Sequence, residues 1–469
     1  IPSIGPSFPI FSYVAAYCFF RNAREILEEG YSKYKVFKVA ITDHWIVVVS
    51  GSEMNEELRK LPDSHVSFAE AAEAFVSTKH TIAPDVNDHP IHLAVIRGPL
   101  TRNLGVVFLD VIDEIFAAFP DVIKLDGNGW ASVALLPAMA KVVSRASNRV
   151  FVGLPLCEDT GYLNTVVGFS FDVVKGRAVL SFVPGIFKGY IRRRMLPWSR
   201  RAIRRTSEYV FSIIDDRQKK LRELGDNWND KPNDLLMWLI EEADKSGLTV
   251  NLIVQGLLLS NFAAIHTSSN SITHALYHLA AHPEYMQPLR EEIETVLKEQ
   301  GWTKIAVGKM WKLDSFMRES QRLNSITALS VRRKLLQDIT LSNGTFLPKG
   351  TIVVSAASAT HLDERYYEHA NEFEGFRFAD MRTDESERTK HQYVSTSSEY
   401  IAFGHGKHAC PGRFFAVNEL KVMMAYMILN YDMKFEGNGG RPENVWEWYS
   451  VRPDPTARVM LRKRQCADA

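Results

Sequence analysis

The chain has 469 residues, 46% of them hydrophobic, with 56 Lys+Arg against 55 Asp+Glu and a formal net charge of +1. That is ample apolar material for a large core, and the balanced charge gives no footprint for nucleic acid or a strongly acidic partner. Cys18, Cys157, Cys410 and Cys466 lie far apart with no CxxC pair, which disfavours a disulfide framework or zinc ribbon and fits a reducing compartment.

The chain opens at Ile1, and its apolar stretch Phe8–Phe20, interrupted by Pro9, is too short to span a bilayer. No uninterrupted apolar run of about 18 residues occurs anywhere. Val36–Val49 is the first segment with strand character: FKVAI and WIVVV flank the turn-prone Thr42-Asp43-His44. From Met54 to Gly225 the spacing predicts mainly helices, punctuated by Pro62, Pro84, Pro99, Pro137, Pro155, Pro184 and Pro197. A polar loop, Asp226–Asn233, precedes the helical DLLMWLIEEADKS. A long helix follows over Asn251–Ala281, about 45 Å at 1.5 Å per residue. It is apolar nearly all round, the mark of a buried helix. Pro283 ends it, another helix starts at Glu284, and a third covers Asp314–Leu323. Leu329–Ala356 is strand-like, with Ser342-Asn343-Gly344 as a turn. A Gly-rich loop then leads into a helix over Phe414–Leu429. With no repeat or linker, residues 1–469 read as one domain, mainly α with a smaller β-rich lobe.

The segment with most chemical content is FGHGKHACPGRFF, which starts at Phe403. Its cysteine, Cys410, ends a glycine-punctuated loop just before a helix. The glycines permit φ > 0 and close approach of the backbone to a flat ligand. Backbone N–H groups at the helix start favour a thiolate. Taken alone, the residues leave several readings open. Cys410 could be a buried small hydrophobe, a zinc ligand with His405 and His408, or a nucleophile paired with a histidine.

The segment resembles the heme-binding loop of the cytochrome P-450 family, F-x-x-G-x-R/H-x-C-x-G. Phe403, Gly406, Cys410 and Gly412 match, and His408 stands where most members carry arginine. Two further resemblances lie upstream. Glu319-Ser-Gln-Arg322 is similar to the family's E-x-x-R pair, and FEGFRF resembles the segment that supplies a third member, Arg377. Ala263-Ala264-Ile265-His266-Thr267-Ser268 occupies the place of A/G-G-x-D/E-T-T, with Thr267 as the alcohol and His266 in place of the acid. The resemblance covers almost the whole chain, and several segments look like those of fungal microsomal members.

The resemblance implies a cytochrome P-450 fold holding heme b, with iron bound by the Cys410 thiolate, which pushes electron density toward bound O2. It implies that Phe403 shields the sulfur, that His408, Arg97 and Arg333 (preferred over Arg332) reach the propionates, and that Ala263 and Ala264 pass over the macrocycle. Glu319, Arg322 and Arg377 would form a structural triad. Thr267 would deliver protons with His266, since histidine titrates near neutrality. The implied partners are an NADPH-cytochrome reductase, O2, a membrane surface and a lipophilic substrate, with terpenoids and steroids foremost; no nucleic acid is expected, and the protein would be a monomer. The distal pocket would draw on Thr78–Leu93, Phe262–Thr267, Ile326–Leu329 and the area near Tyr449; the two middle segments are apolar or uncharged apart from His266. The arginines 192–194, 200, 201, 204 and 205 in SFVPGIFKGYIRRRMLPWSRRAIRR suit an anionic bilayer surface. The resemblance further implies an anchor helix preceding Ile1 and a place on the cytosolic face of the endoplasmic reticulum. Two other functions stand beside monooxygenation: a heme-thiolate isomerase or dehydratase that does not use O2, and a non-enzymatic heme-binding protein.

Overall fold

Runs of β-branched residues bounded by turns assemble the sheet that frames one side of the protein. Its strand order is Val36–Ile41, His44–Val49, Ile352–Ala356, Leu329–Leu335 and Val66–Ser67. The first two pair antiparallel, the second and third run parallel, and the remaining pairs are antiparallel. The computed structural model describes residues 1–5, 12–41, 44–82, 85–125, 127, 129–181, 183, 187, 189–191, 198–437 and 439–465. Thr42, Asp43, Pro84, Pro184, Pro197, Cys466 and Arg192–Arg194 therefore lie outside the described residues, and His44 opens the second strand rather than closing a turn. The Ser342-Asn343-Gly344 turn joins two short strands, Ile339–Thr340 and Phe346–Leu347, with Gly344 at φ +80°.

Leu329–Leu335 carries an irregularity with functional weight. Its register against Ile352–Ala356 shifts between Ser330 and Arg333, and Val331 sits at φ +44°. A β-branched residue in the left-handed region is strained. The bulge sends the two adjacent arginines to different places. Arg332 lies over the Phe75 and Tyr449 rings, whereas Arg333 feels the charge of Asp63.

The helices form the larger part. The long helix, Val250–Ala281, packs against Leu135–Phe151, Thr160–Ser181, Trp198–Leu224, Leu235–Lys245, Trp311–Leu323 and Arg413–Asn430. By length and composition it would suffice to cross a bilayer, yet 56% of its most apolar window is buried inside the protein. Away from its ends, burial along it is incomplete at Leu259 and then at Phe262, Ala263, Ala264, His266 and Thr267. His266 keeps surface there although protein surrounds it, which marks open space inside the core, hereafter the chamber.

Several boundaries differ from those read in the sequence. Pro283 opens a 3-10 turn, Pro283–Tyr285, so the next helix begins at Met286 rather than Glu284. The helix carrying Glu319 starts at Trp311, three residues earlier than Asp314. Pro137 stands in the first turn of Leu135–Phe151, where its missing N–H costs nothing. Pro99 lies inside a π-helical turn, Ile96–Leu100, instead of breaking the helix. Proline cannot donate four residues back, so the turn widens, and Thr101 Oγ1 donates to the Ile96 carbonyl at 2.8 Å.

Candidate active site

The loop from Ile401 to Arg413 is shaped by its glycines and by hydrogen bonds to the rest of the protein. Gly404 and Gly406 adopt φ +74° and +70°. A Cβ on Gly406 would also collide with the Arg59 side chain. The Cys410 N–H donates to Phe403 O at 2.8 Å, closing the loop. The Phe403 ring packs 5.9 Å from that of Tyr393. At the entry, Ile401 N–H donates to His361 Nε2 at 2.9 Å, so the His361 proton sits on Nδ1, 2.9 Å from Ser325 Oγ.

Cys410 keeps an exposed surface although protein surrounds it, so that surface faces the chamber rather than bulk water. Burial pushes its thiol pKa up; the Gly412 N–H, the Arg413 guanidinium and the Arg413 N–H oppose that. These donors stand at the start of Arg413–Asn430, where four helix N–H groups lack internal partners. Among the described residues no group of three His, Cys, Asp or Glu is arranged to hold a metal, which removes the zinc reading of this loop there.

The loop histidines are held by carboxylates from a distant segment. His408 Nε2 lies 2.8 Å from Asp63 Oδ1, and its ring stacks on Phe68 at 5.8 Å. Lys407 also pairs with Asp63, and bonds from Lys407 and His408 bring the Asp63 pKa down to about 2. His405 lies 3.4 Å from Glu56. One of the two His408 ring nitrogens is thus committed to Asp63. Arg333 stands beside this pair: it is buried, its Nη1 donates to Arg332 O at 2.8 Å, and its Nε–H has no acceptor. Burial draws its pKa down to about 10. Arg97, in the π-helical turn, is exposed.

On the long helix, Thr267 Oγ1 donates to Ala263 O at 2.7 Å, tying the hydroxyl to its own helix. Ala263 is exposed and Ala264 half-buried, so small residues face the chamber at this point. His266 stacks parallel to Phe262, with ring centroids 6.4 Å apart. Its expected titration near neutrality is corrected: burial, then the charges of Arg452 and Arg177, lower its pKa to about 4. It is a neutral imidazole at pH 7.

Glu319, Arg322 and Arg377 meet in the interior. Arg322 donates to both Glu319 oxygens at 2.8 and 2.7 Å, and Arg377 Nε donates to Glu319 Oε1 at 3.1 Å. Arg322 also donates to His361 O and Ala370 O, both at 2.6 Å. Arg377 reaches Glu368 O at 2.5 Å.

Sequence reading missed three features. His92 is buried with its Nδ1 unpartnered, and burial lowers its pKa to about 4. Its position five residues before Arg97, in a stretch already singled out, was the available signal. Asp63, the partner of His408, gave none. The third is Glu419, nine residues beyond Cys410 and fully buried. Ser147 Oγ donates to its Oε1 at 2.8 Å, and its Oε2 has no partner. Burial pushes this carboxyl from its usual 4.5 up to about 8. The unfolded chain releases the proton above its ordinary pKa while the folded protein retains it, so stability declines as pH rises through that window. It levels off above about pH 8, with a cost of at most roughly 5 kcal/mol. Denaturant midpoints measured across that range should fall for the native protein relative to Glu419→Gln. Parallel curves would refute the assignment.

These positions fit a flat, anionic, thiolate-bound group: a sulfur faced by N–H donors, small residues where the long helix is incompletely buried, and unpartnered buried nitrogens on Arg333 and His92. A family model described as Cytochrome P450 matches residues 2–460. Over 467 residues, the chain is 60% identical to Cytochrome P450 monooxygenase 71 and, separately, 60% identical to Cytochrome P450 monooxygenase 110, both of Postia placenta; each match covers 99% of this chain and 93% of the relative. It is 40% identical over 471 residues to Cytochrome P450 monooxygenase CYP512U6 of Ganoderma lucidum, covering 99% and 92%. Among solved structures, the retinoic acid bound cyanobacterial CYP120A1 aligns with a TM-score of 0.72 at 18% identity, covering 99% of each chain, a likeness of fold alone.

Proposed function

The chain belongs to the cytochrome P450 family and is a monooxygenase of it, and from that premise we propose that Cys410 ligates heme b and that the protein oxidises a lipophilic small molecule. The observation that carries this reading is the chamber-facing Cys410 with Gly412 and Arg413 N–H groups directed at its sulfur. Phe403 and the Ala263–Ala264 face would enclose the group; Arg333, His92, Arg97 and the free nitrogen of His408 would receive its propionates. When bound, heme supplies the reductive activation of O2. The protein binds substrate against the long helix, excludes water and brings protons to the chamber. Thr267 Oγ1, which donates to Ala263 O at 2.7 Å, would exchange that bond to deliver a proton into the chamber. His266, neutral at pH 7, orders the relay by hydrogen bonding rather than by changing charge.

Turnover draws electrons from an NADPH-dependent reductase, which meets the outer side of the cysteine loop. There a groove of about 720 Å³ is lined by Arg59, Lys390, His405, Arg413 and Phe414, among others. The exposed Arg200, Arg201, Arg204 and Arg205, on a helix that buries Ala202, Thr206 and Val210 instead, suit an anionic bilayer surface, in keeping with the cytosolic face of the endoplasmic reticulum. Residues 1–469 act as one catalytic domain. Terpenoids and steroids are the foremost substrate classes.

Consumption of NADPH and O2 with a reductase, measured on a lipophilic panel, tests the reading; product formation without O2 uptake would replace it by isomerisation or dehydration. Thr267→Ala should keep O2 consumption but lower product per NADPH by at least about tenfold, approaching the ~10²-fold a positioned proton donor contributes. An unchanged product-to-NADPH ratio would remove Thr267 from proton delivery.

A further inference from the structure

Positive charge that the sequence scatters over three segments converges on Tyr449. Arg177, on the helix Thr160–Ser181, holds its guanidinium carbon 4.7 Å from the Tyr449 ring centroid. Arg332 stands 5.4 Å from the same ring and 4.5 Å from that of Phe75. Arg452 ends the strand Ser450–Arg452, just past Tyr449. Tyr449 itself is buried, and its hydroxyl donates to Phe75 O at 3.3 Å.

Among the described residues, one carboxylate answers these three cations: Glu447, whose Oε1 lies 2.5 Å from Arg452 Nη2. Among the described residues, Arg177 and Arg332 take part in no ion pair, and Arg177 makes no hydrogen bond. Arg332 commits Nη2 to Thr327 Oγ1 at 3.0 Å and Leu329 O at 3.2 Å. The Nε–H groups of Arg332 and Arg452 are buried without an acceptor. Arginine does not shed its charge on burial, so the cluster is under-neutralised and keeps donors unpaired, a costly arrangement.

The cluster lies beside His266 on the long helix, at the stretch Phe262–Thr267 whose burial is incomplete. The charges of Arg452 and Arg177 both act on His266, the residue before Thr267 on the long helix. Apolar rings stand next to it: Phe75, under Arg332 and edge-on to Tyr449, and Phe262, stacked on His266. A ligand that completes this arrangement is apolar over most of its surface and carries one planar anion with two acceptor oxygens, the geometry guanidinium groups match.

We propose that Arg177 and Arg332, with Arg452 beside them, bind the carboxylate of the substrate, which is therefore a lipophilic carboxylic acid. This rests on the monooxygenase reading of the chamber and narrows its substrate class. It also adds charge beyond the two segments read as apolar or uncharged apart from His266: Arg332 follows the bulge at Val331, and Arg177 arrives from a helix remote in sequence.

The test uses the heme-loaded protein, checked first for the thiolate-type band of its reduced CO complex. Lauric acid and cholanic acid are each titrated against their methyl esters, by substrate-induced Soret shift and by calorimetry. At least one acid should bind about tenfold or more tighter than its ester. Arg177→Gln should abolish that preference with ester binding unchanged, and Arg177→Lys should restore part of it. Esters binding as tightly as acids, Arg177→Gln weakening both alike, or neither acid binding to protein that shows the thiolate band would each overturn the proposal. An acid preference measured by calorimetry in protein lacking that band would instead sink the heme-thiolate reading and leave the anion site standing.

Discussion

Cys410→Ser is expected to leave a folded chain whose reduced CO complex lacks the red-shifted Soret band and whose monooxygenase turnover falls to background. The bond that closes the loop is made by the Cys410 backbone N–H to Phe403 O and is indifferent to the side chain. Gly404 and Gly406 keep their positive φ, and the helix Arg413–Asn430 keeps its start. The change removes the sulfur alone. A serine hydroxyl in the same place has too high a pKa to ionise, and the Gly412 and Arg413 N–H groups that favour a thiolate do not supply the difference. Far-ultraviolet circular dichroism should match the native protein while the thiolate signature is gone. A retained red-shifted band in Cys410→Ser would remove Cys410 as the ligand.

Glu319→Ala is the second large effect, and it acts on stability. Glu319 is buried and accepts from both Arg322 and Arg377, so its loss strands the buried Arg322 without a counter-charge and leaves Arg377 only the half-exposed Glu374 at 3.2 Å. Breaking a buried ionic group this way costs roughly 3–5 kcal/mol, a large part of the roughly 5–15 kcal/mol that stabilises a typical fold. The damage should reach the cysteine loop along a traceable route. Arg322 holds the His361 carbonyl, and the His361 ring accepts from the N–H of Ile401, where the loop begins. The denaturant midpoint and the heme-to-protein ratio should both fall. An unaltered midpoint would mean that the three residues do not act as a unit.

Much of the fold was legible because its signals are local. The all-round apolar character of residues 251–281 predicts a core helix, and the structure extends it by only one residue. Within the strand–turn–strand pattern Val36–Val49, Val36–Ile41 and His44–Val49 pair antiparallel. Where the boundaries moved, the cause was local chemistry that tertiary context overrode. Pro99 predicts a break, but the helix absorbs it by widening one turn. At the site, Cys410 and its glycines occupy one contiguous stretch, and Glu319 and Arg322 share a helix face because they are three apart. Arg377 lies 58 residues from Glu319, and its pairing was expected only through resemblance.

The sequence by itself determined the elements, the identity of the cysteine loop and the family. The elements follow from spacing along the chain, where helical and strand periods fix which neighbours share a face, while the loop and the family were legible through the resemblance of their motifs. Only the tertiary structure decided which distant charges meet and how far burial shifts them. Asp63 takes up His408 across 345 residues, Glu419 is driven toward its neutral form, and His266 is held neutral between buried surroundings and two arginines. Arg177, Arg332 and Arg452 gather around one tyrosine from separate segments. The physical reason is that charge–charge energies depend on distance through space and on local dielectric, and neither is written in the order of residues.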